Sequence, residues 1–388
     1  MSEQLAARPH DPDITQPLPR VVQPPPPTPD RTGKGRRLDG LDVLRAVASL
    51  LVLYTHISPW YKLQDDPLGI STVLDEWVIG PLRLNDDFGF IGVSLFFVIS
   101  GFVMAHVATK ERVAEFAVKR LLRIFPGLMA AVLLAWVLVV TGALSVPVDD
   151  GESVGFDDLL ANLVLANFFV DGYVPLLGVA WTLVIQLGIY AMMGALLFLF
   201  RRDAWIAVAV QITLCSVIAS VTTTLDELAA RSISHIGTFG TAVVLGQAIW
   251  LVWTRRVPAW AGFALGLTCW LLYAAYDAPW YGRYDDSFNQ TLALAAVLVV
   301  LAVLADDRVP RLRVVTYLAS RSFAVYVVHQ TVAYAVLAAL WPQVPSVLAV
   351  PLAVAAVLVT AELLHRAVER PCAALARRFA ERRPARAA

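Results

Sequence analysis

Apolar residues in this chain come in long runs, each close to the ~20 residues that a helix needs to cross a bilayer. They fall at about 41–57, 89–107, 124–141, 181–200, 204–222, 236–253, 258–276, 288–305, 322–341 and 347–364. Strand-like alternation of apolar and polar residues is absent, which argues against a barrel. The pattern predicts an all-α, polytopic transmembrane helical bundle of about ten spans. One further run, LLANLVLANFFV at 159–170, is too short to cross and reads as an interfacial or re-entrant segment.

The charges between the runs give the orientation. Lys110, Arg112, Lys119, Arg120 and Arg123 precede the third run, Arg201 and Arg202 end the fourth, and Arg308, Arg311, Arg313 and Arg321 precede the ninth. Acidic residues collect in the alternate loops, with Asp65, Asp66, Asp75, Glu76, Asp86 and Asp87 in the first and Asp149, Asp150, Glu152, Asp157 and Asp158 in another. The positive-inside rule then puts both termini in the cytoplasm. Residues 1–37 carry VVQPPPPTPD and few large apolar side chains, so they are expected to form a disordered, Pro-rich cytoplasmic tail. Residues 38–372 form the membrane domain, and 373–388 a basic cytoplasmic tail. The tail before the first span has no apolar h-region and is not a signal peptide.

Composition narrows the function. The chain is 58% hydrophobic and 16% charged with zero formal net charge, which gives no basis for a nucleic-acid partner. Its three cysteines, Cys215, Cys269 and Cys372, show neither a disulfide framework nor a zinc spacing. Soluble-enzyme motifs such as G-x-S-x-G, H-E-x-x-H and the P-loop are missing.

Three features stand above the apolar background. In the first run, Arg45 and His56 are eleven residues apart. On a helix they return to within about 20° of one face and lie about 16–17 Å apart along the axis. Ionisable groups on one face of an apolar span should face the bundle interior or a wet cavity. The plainer reading is a snorkelling Arg and a packed His. The second feature is KRLLRIFP, where Arg120 and Arg123 share a helix face; they suit a phosphate clamp or simply mark topology. The third is WTLVIQLGIY, where Gln186 sits in an apolar run between Trp181 and Tyr190 and either lines a cavity or joins helices. His329, His106 and Glu362 read as structural.

The ordered set LDGLDVLRAVASLLVLYTH, GFIGVSLFFVISGFVMAH, KRLLRIFP, WTLVIQLGIY and SFAVYVVH resembles the integral-membrane acyltransferase family 3 over about residues 36–372. Proteins of this family acylate sugars of surface polysaccharides, lipo-oligosaccharides and antibiotics. The family's Arg-x10-His motif falls on Arg45 and His56, its Arg-x-x-Arg on Arg120 and Arg123, and its SGF on Ser100, Gly101 and Phe102. Its Trp-Ser/Thr-Leu-x-x-Glu falls on Trp181, Thr182 and Leu183, with Gln186 where Glu is usual. That departure removes a negative charge and a proton acceptor while keeping hydrogen-bonding capacity.

The resemblance implies an O-acyltransferase of the inner (cytoplasmic) membrane. It would take an acyl group, most often acetyl, from cytosolic acyl-CoA to a sugar hydroxyl, with no bound cofactor. His56 would be the general base, and Arg45, the other residue of the Arg-x10-His motif, a third cation near Arg120 and Arg123. Arg120 and Arg123 would hold the donor phosphates, and Ser100, Trp181, Gln186 and Tyr190 would line the substrate site. Composition alone leaves open a transporter of a small anionic solute or acyl group, since intramembrane Arg and His also mark solute paths. An inactive relative, suggested by Gln186, is a third reading.

Overall fold

The computed structural model describes residues 38–85, 88–147, 153–222, 225, 227–277 and 288–381. The Pro-rich segment 1–37, the loop acids Asp86, Asp87, Asp149, Asp150, Glu152, Asp285 and Asp286, and the terminal Arg382, Arg383 and Arg386 lie outside them. The described chain contains helices and no strand. Its principal helices are α1 (Asp39–Lys62), α2 (Gly89–Ala108), α3 (Val113–Val140), α4 (Trp181–Ala195), α5 (Ala204–Thr222) and α6 (Leu228–Trp253). They continue as α7 (Ala259–Asp277), α8 (Phe288–Leu304), α9 (Arg313–Leu340), α10 (Ser346–Leu364) and α11 (Arg370–Glu381). Nine stretches among the described residues are long and apolar enough to cross a membrane, and α8 is a shorter apolar helix of the same kind. These ten correspond one for one to the apolar runs.

The largest difference from the sequence reading is at α3. The apolar run starts at Ile124, yet the helix begins at Val113, so the one helix face read for Arg120 and Arg123 belongs to the same helix as the span and takes in Lys119 and two further turns before it. Ala, Glu, Lys, Leu and Arg all favour helix, so the helix extends past the point where hydropathy stops marking it. The same holds at the C-terminus. Ser346–Glu381 is a continuous 36-residue helical stretch, including a π-helical turn at His365–Glu369. At 1.5 Å per residue it is about 54 Å long, well beyond a ~30 Å hydrocarbon core. Its distal part, α11, packs against α3.

Residues 159–170 do not cross. They form the end of a short helix, Phe156–Leu163, and a 3-10 turn at Ala166–Phe168. Two buried side chains satisfy the irregular backbone around them. Asp158 accepts from the Gly155 N–H at 2.8 Å and the Val174 N–H at 2.7 Å. Asn162 donates to the Val174 carbonyl at 2.8 Å and accepts from the Leu176 N–H at 3.0 Å. Backbone groups left unpaired in an apolar environment would be costly.

The core has two parts. One gathers α2, α5, α6, α7 and α8, the other gathers α9 and α10 with the 156–180 segment, and α1, α3 and α4 give buried residues to both. Val93, Phe96 and Tyr190 pack against both, and so mark the seam. In the first part α2 and α6 cross at very close range. A Cβ on Gly101 would collide with the Val243 carbonyl, and one on Gly246 with the Val98 carbonyl. Small residues that let backbones approach are a common membrane helix contact.

Candidate active site

Five helices send polar residues into one cavity of about 380 Å³ at the seam. Arg45 comes from α1, Ser100 from α2, Lys119, Arg120 and Arg123 from α3, Thr182, Gln186 and Tyr190 from α4, and Ser322 and Tyr326 from α9. The volume lies in the ~300–1,000 Å³ range of small-molecule sites. On α4 the lining residues 182, 186 and 190 are four apart, so one stripe of that helix faces the cavity. Trp181 points elsewhere: its indole packs against Phe97, His235 and Phe239.

The cavity is polarised along its length. At one end stand the first turns of α1, α3 and α9 and the last turns of α2, with Arg45, Val107, Lys119 and Ala319. The cations there differ in how far they are already matched. Arg45 pairs with the buried Asp42 at 3.4 Å. Lys119 donates to Glu111 and Glu115. Arg120 lies 3.4 Å from Glu111 and over the rings of Phe116 and Tyr190 at 4.8 and 5.8 Å. Its Nε is buried without a partner. Glu111 is buried, and its backbone carbonyl also receives Arg201. Arg123 makes no ion pair among the described residues; its guanidinium sits over the Phe323 ring at 5.3 Å. An Arg held by cation–π contact keeps its N–H fork for an incoming anion.

In the middle, Gln186 donates from Nε2 to Ser100 Oγ at 2.9 Å, and Ser100 is 3.4 Å from the Met104 sulfur. Gln186 therefore works here as an uncharged hydrogen-bonding group. At the deep end, Thr182 Oγ1 and the Tyr326 hydroxyl are 2.7 Å apart. The Tyr326 hydroxyl also donates to the Val179 carbonyl at 3.2 Å.

His56 does not line the cavity. It lies past the deep end, eleven residues along α1 from Arg45. Its ring stacks on His329 with centroids 4.9 Å apart and planes 16° apart, and it meets Tyr334 edge-on at 6.2 Å. His329 is the next turn of α9 after Tyr326, and those two rings are 5.7 Å apart. Tyr326 and His329 thus stand between the cavity and His56. His329 Nδ1 is 2.6 Å from the Tyr326 carbonyl, which can only accept, so Nδ1 carries the proton. Nε2 is left as a lone-pair acceptor, buried and without a partner. His56 itself is partly exposed. The sequence reading treated His329 as structural. Its partner is on the first helix, far away in the chain, and no local spacing marks the pair.

Of the other polar residues considered, Glu362 bonds Arg321 at 2.8 Å and Tyr317 at 2.8 Å, and also receives Arg366. His106 bonds Lys110 at 3.0 Å.

The family described as "Acyltransferase domain" matches residues 38–366. Nodulation protein 10 of Rhizobium leguminosarum bv. viciae is 32% identical over 179 residues, covering 42% of this chain and 45% of that protein. Exopolysaccharide production protein ExoZ of Rhizobium meliloti (strain 1021) is 29% identical over 257 residues, 62% of this chain and 75% of that protein. The chain thus spans less than half the length of the first relative and about three quarters of the second. No solved structure matches.

Proposed function

Starting from the fact that the chain belongs to the acyltransferase family that matches residues 38–366, we propose that it is a membrane O-acyltransferase using acyl-CoA as donor and a sugar or glycoconjugate hydroxyl as acceptor. Acetyl is the first candidate for the acyl group. One observation carries this reading: Arg45, Arg120 and Arg123 gather at one end of a cavity whose other end is walled by Tyr326, and the Tyr326 ring touches His329, which stacks on His56. The cationic end suits the donor's phosphates, since Arg offers fixed, bidentate donors at any working pH. That end faces the cytoplasm by the positive-inside rule, and the protein resides in the bacterial inner membrane. The ~16–17 Å between Arg45 and His56 matches the reach of an extended pantetheine arm. ExoZ's name refers to exopolysaccharide production, which supports a polysaccharide acceptor.

In the proposed step, the acceptor oxygen attacks the thioester carbonyl while neutral His56 takes its proton. The tetrahedral intermediate collapses, the C–S bond breaks, and the proton returns to the departing thiolate. The products are an O-acyl ester and free coenzyme A. Transfer is direct, because among the described residues no Ser or Cys is paired with His56. Ser100, Gln186 and Tyr190 line the pantetheine channel. The reading is tested by giving purified protein radiolabelled acetyl-CoA and a panel of glycosides. Label appearing on a glycoside supports it; failure to bind acetyl-CoA contradicts it and brings the transporter reading forward.

A further inference from the structure

Beside the main cavity lies a second one of about 200 Å³, between the first turns of α3 and the C-terminal helix α11. Lys119 and Arg123 line both, so the two spaces are neighbours across these cations. The second cavity adds Arg377 and Glu369, with a wall that includes Cys372 and Ala373. Two features mark it as more than a packing gap. Arg123 and Arg377 both face it and neither has a carboxylate partner among the described residues. Glu369 is 8% exposed; one carboxylate oxygen accepts from His365 Nδ1 at 2.5 Å, and the other, Oε1, is buried without a partner. A buried carboxylate oxygen with no donor is costly, and an arriving N–H would relieve it.

We propose that this second cavity binds the nucleotide end of the acyl-CoA donor. Arg123 and Arg377 take its phosphates, and Glu369 Oε1 accepts from the adenine amino group. The inference rests on the acyl-CoA reading above. A coenzyme A thioester joins a narrow pantetheine arm to a bulky, charged nucleotide. The two cavities, meeting at shared cations, have that same division. The helix α11 then serves as part of the donor site.

Cys372 offers a direct probe, because it is partly exposed while Cys215 and Cys269 are fully buried. Alkylation of Cys372 by N-ethylmaleimide would be followed in the full-length purified protein. Adenosine 3′,5′-bisphosphate, which lacks the pantetheine arm, should slow it about tenfold. In Arg377→Ala, about ten times more nucleotide should be needed for the same protection, and Arg378→Ala, a neighbour outside the cavity, should behave as wild type. Ala373→Trp, which fills the cavity from its exposed rim, should abolish protection. Binding of radiolabelled coenzyme A, measured in parallel, separates the possible failures. Coenzyme A bound without protection of Cys372 overturns the second site and leaves the acyl-CoA reading intact. No binding of coenzyme A overturns both. Protection by phosphatidylglycerol in place of the nucleotide assigns the phosphate site to lipid and overturns the proposal.

Discussion

His56 and His329, on the first and ninth helices, stack with their ring centroids 4.9 Å apart and only 16° from parallel. Two imidazoles this close cannot both be protonated without strong repulsion, so at most one of the two rings carries a charge. A neutral ring is what a general base requires. His329 is held by the Tyr326 carbonyl and in turn supports the face of His56.

His329→Ala should therefore lower kcat by about 10²-fold while leaving the KM for acetyl-CoA within about twofold. His329 acts through His56, so it is a positioning residue. His329→Asn, which can still bond the Tyr326 carbonyl, should recover part of the loss. Steady-state kinetics of the variants would decide; a large rise in donor KM would place His329 in donor binding instead.

Arg123→Ala should raise the KM for acetyl-CoA by about 10–100-fold, the range expected for losing a charge-assisted hydrogen bond of ~1.5–3 kcal/mol. Arg123→Lys should restore only part of it, because an ammonium lacks the planar fork. Arg120→Ala should cost more in stability than Arg123→Ala. It removes a partner of the buried Glu111 and two ring contacts, whereas Arg123 contributes its contact with Phe323 and no ion pair among the described residues. Donor titrations and thermal denaturation would separate these effects.

Ser100 and Gln186 should be coupled by about 1 kcal/mol in a double-mutant cycle of Ser100→Ala and Gln186→Leu, the usual net value of a hydrogen bond. Gln186→Glu should leave the protein folded, since Ser100 can reverse its role and donate. Thermal stability of the four proteins gives the coupling, and a value near zero would show that Gln186 does not rely on Ser100.

Gly101→Val and Gly246→Val should each destabilise the bundle by about 3 kcal/mol, the upper end of the usual overpacking cost, because the added side chain meets the carbonyl of the facing helix. Loss of a monodisperse peak on size exclusion, or a markedly lower melting temperature, would be the sign. An unchanged melting temperature would mean that α2 and α6 separate more easily than the close crossing implies.

Much of this was legible in the chain. The ten apolar runs correspond to ten helices, and the chain belongs to the family that the ordered motifs resemble. The start of α3 was not legible, because hydropathy reports the bilayer and not the helix; Val113–Ile124 favours helix while carrying charge. On α4 the sequence reading put Trp181, Gln186 and Tyr190 in the site; the cavity stripe is Thr182, Gln186 and Tyr190, while Trp181 packs against Phe97, His235 and Phe239, a direction set by how α4 is rotated in the bundle. The contact of His329 with His56 was not legible, since it depends on how α9 packs against α1. The second cavity is also tertiary, formed where the protruding ends of two helices meet.

The most direct measurement is thiol release from acetyl-CoA by purified wild type and His56→Ala, with a glycoside acceptor, alongside coenzyme A binding by both. Acceptor-dependent release in the wild type, lost by at least about 10²-fold in the variant while coenzyme A binding persists, is the expected result. Release that continues unchanged in His56→Ala would contradict the role of His56 as the base.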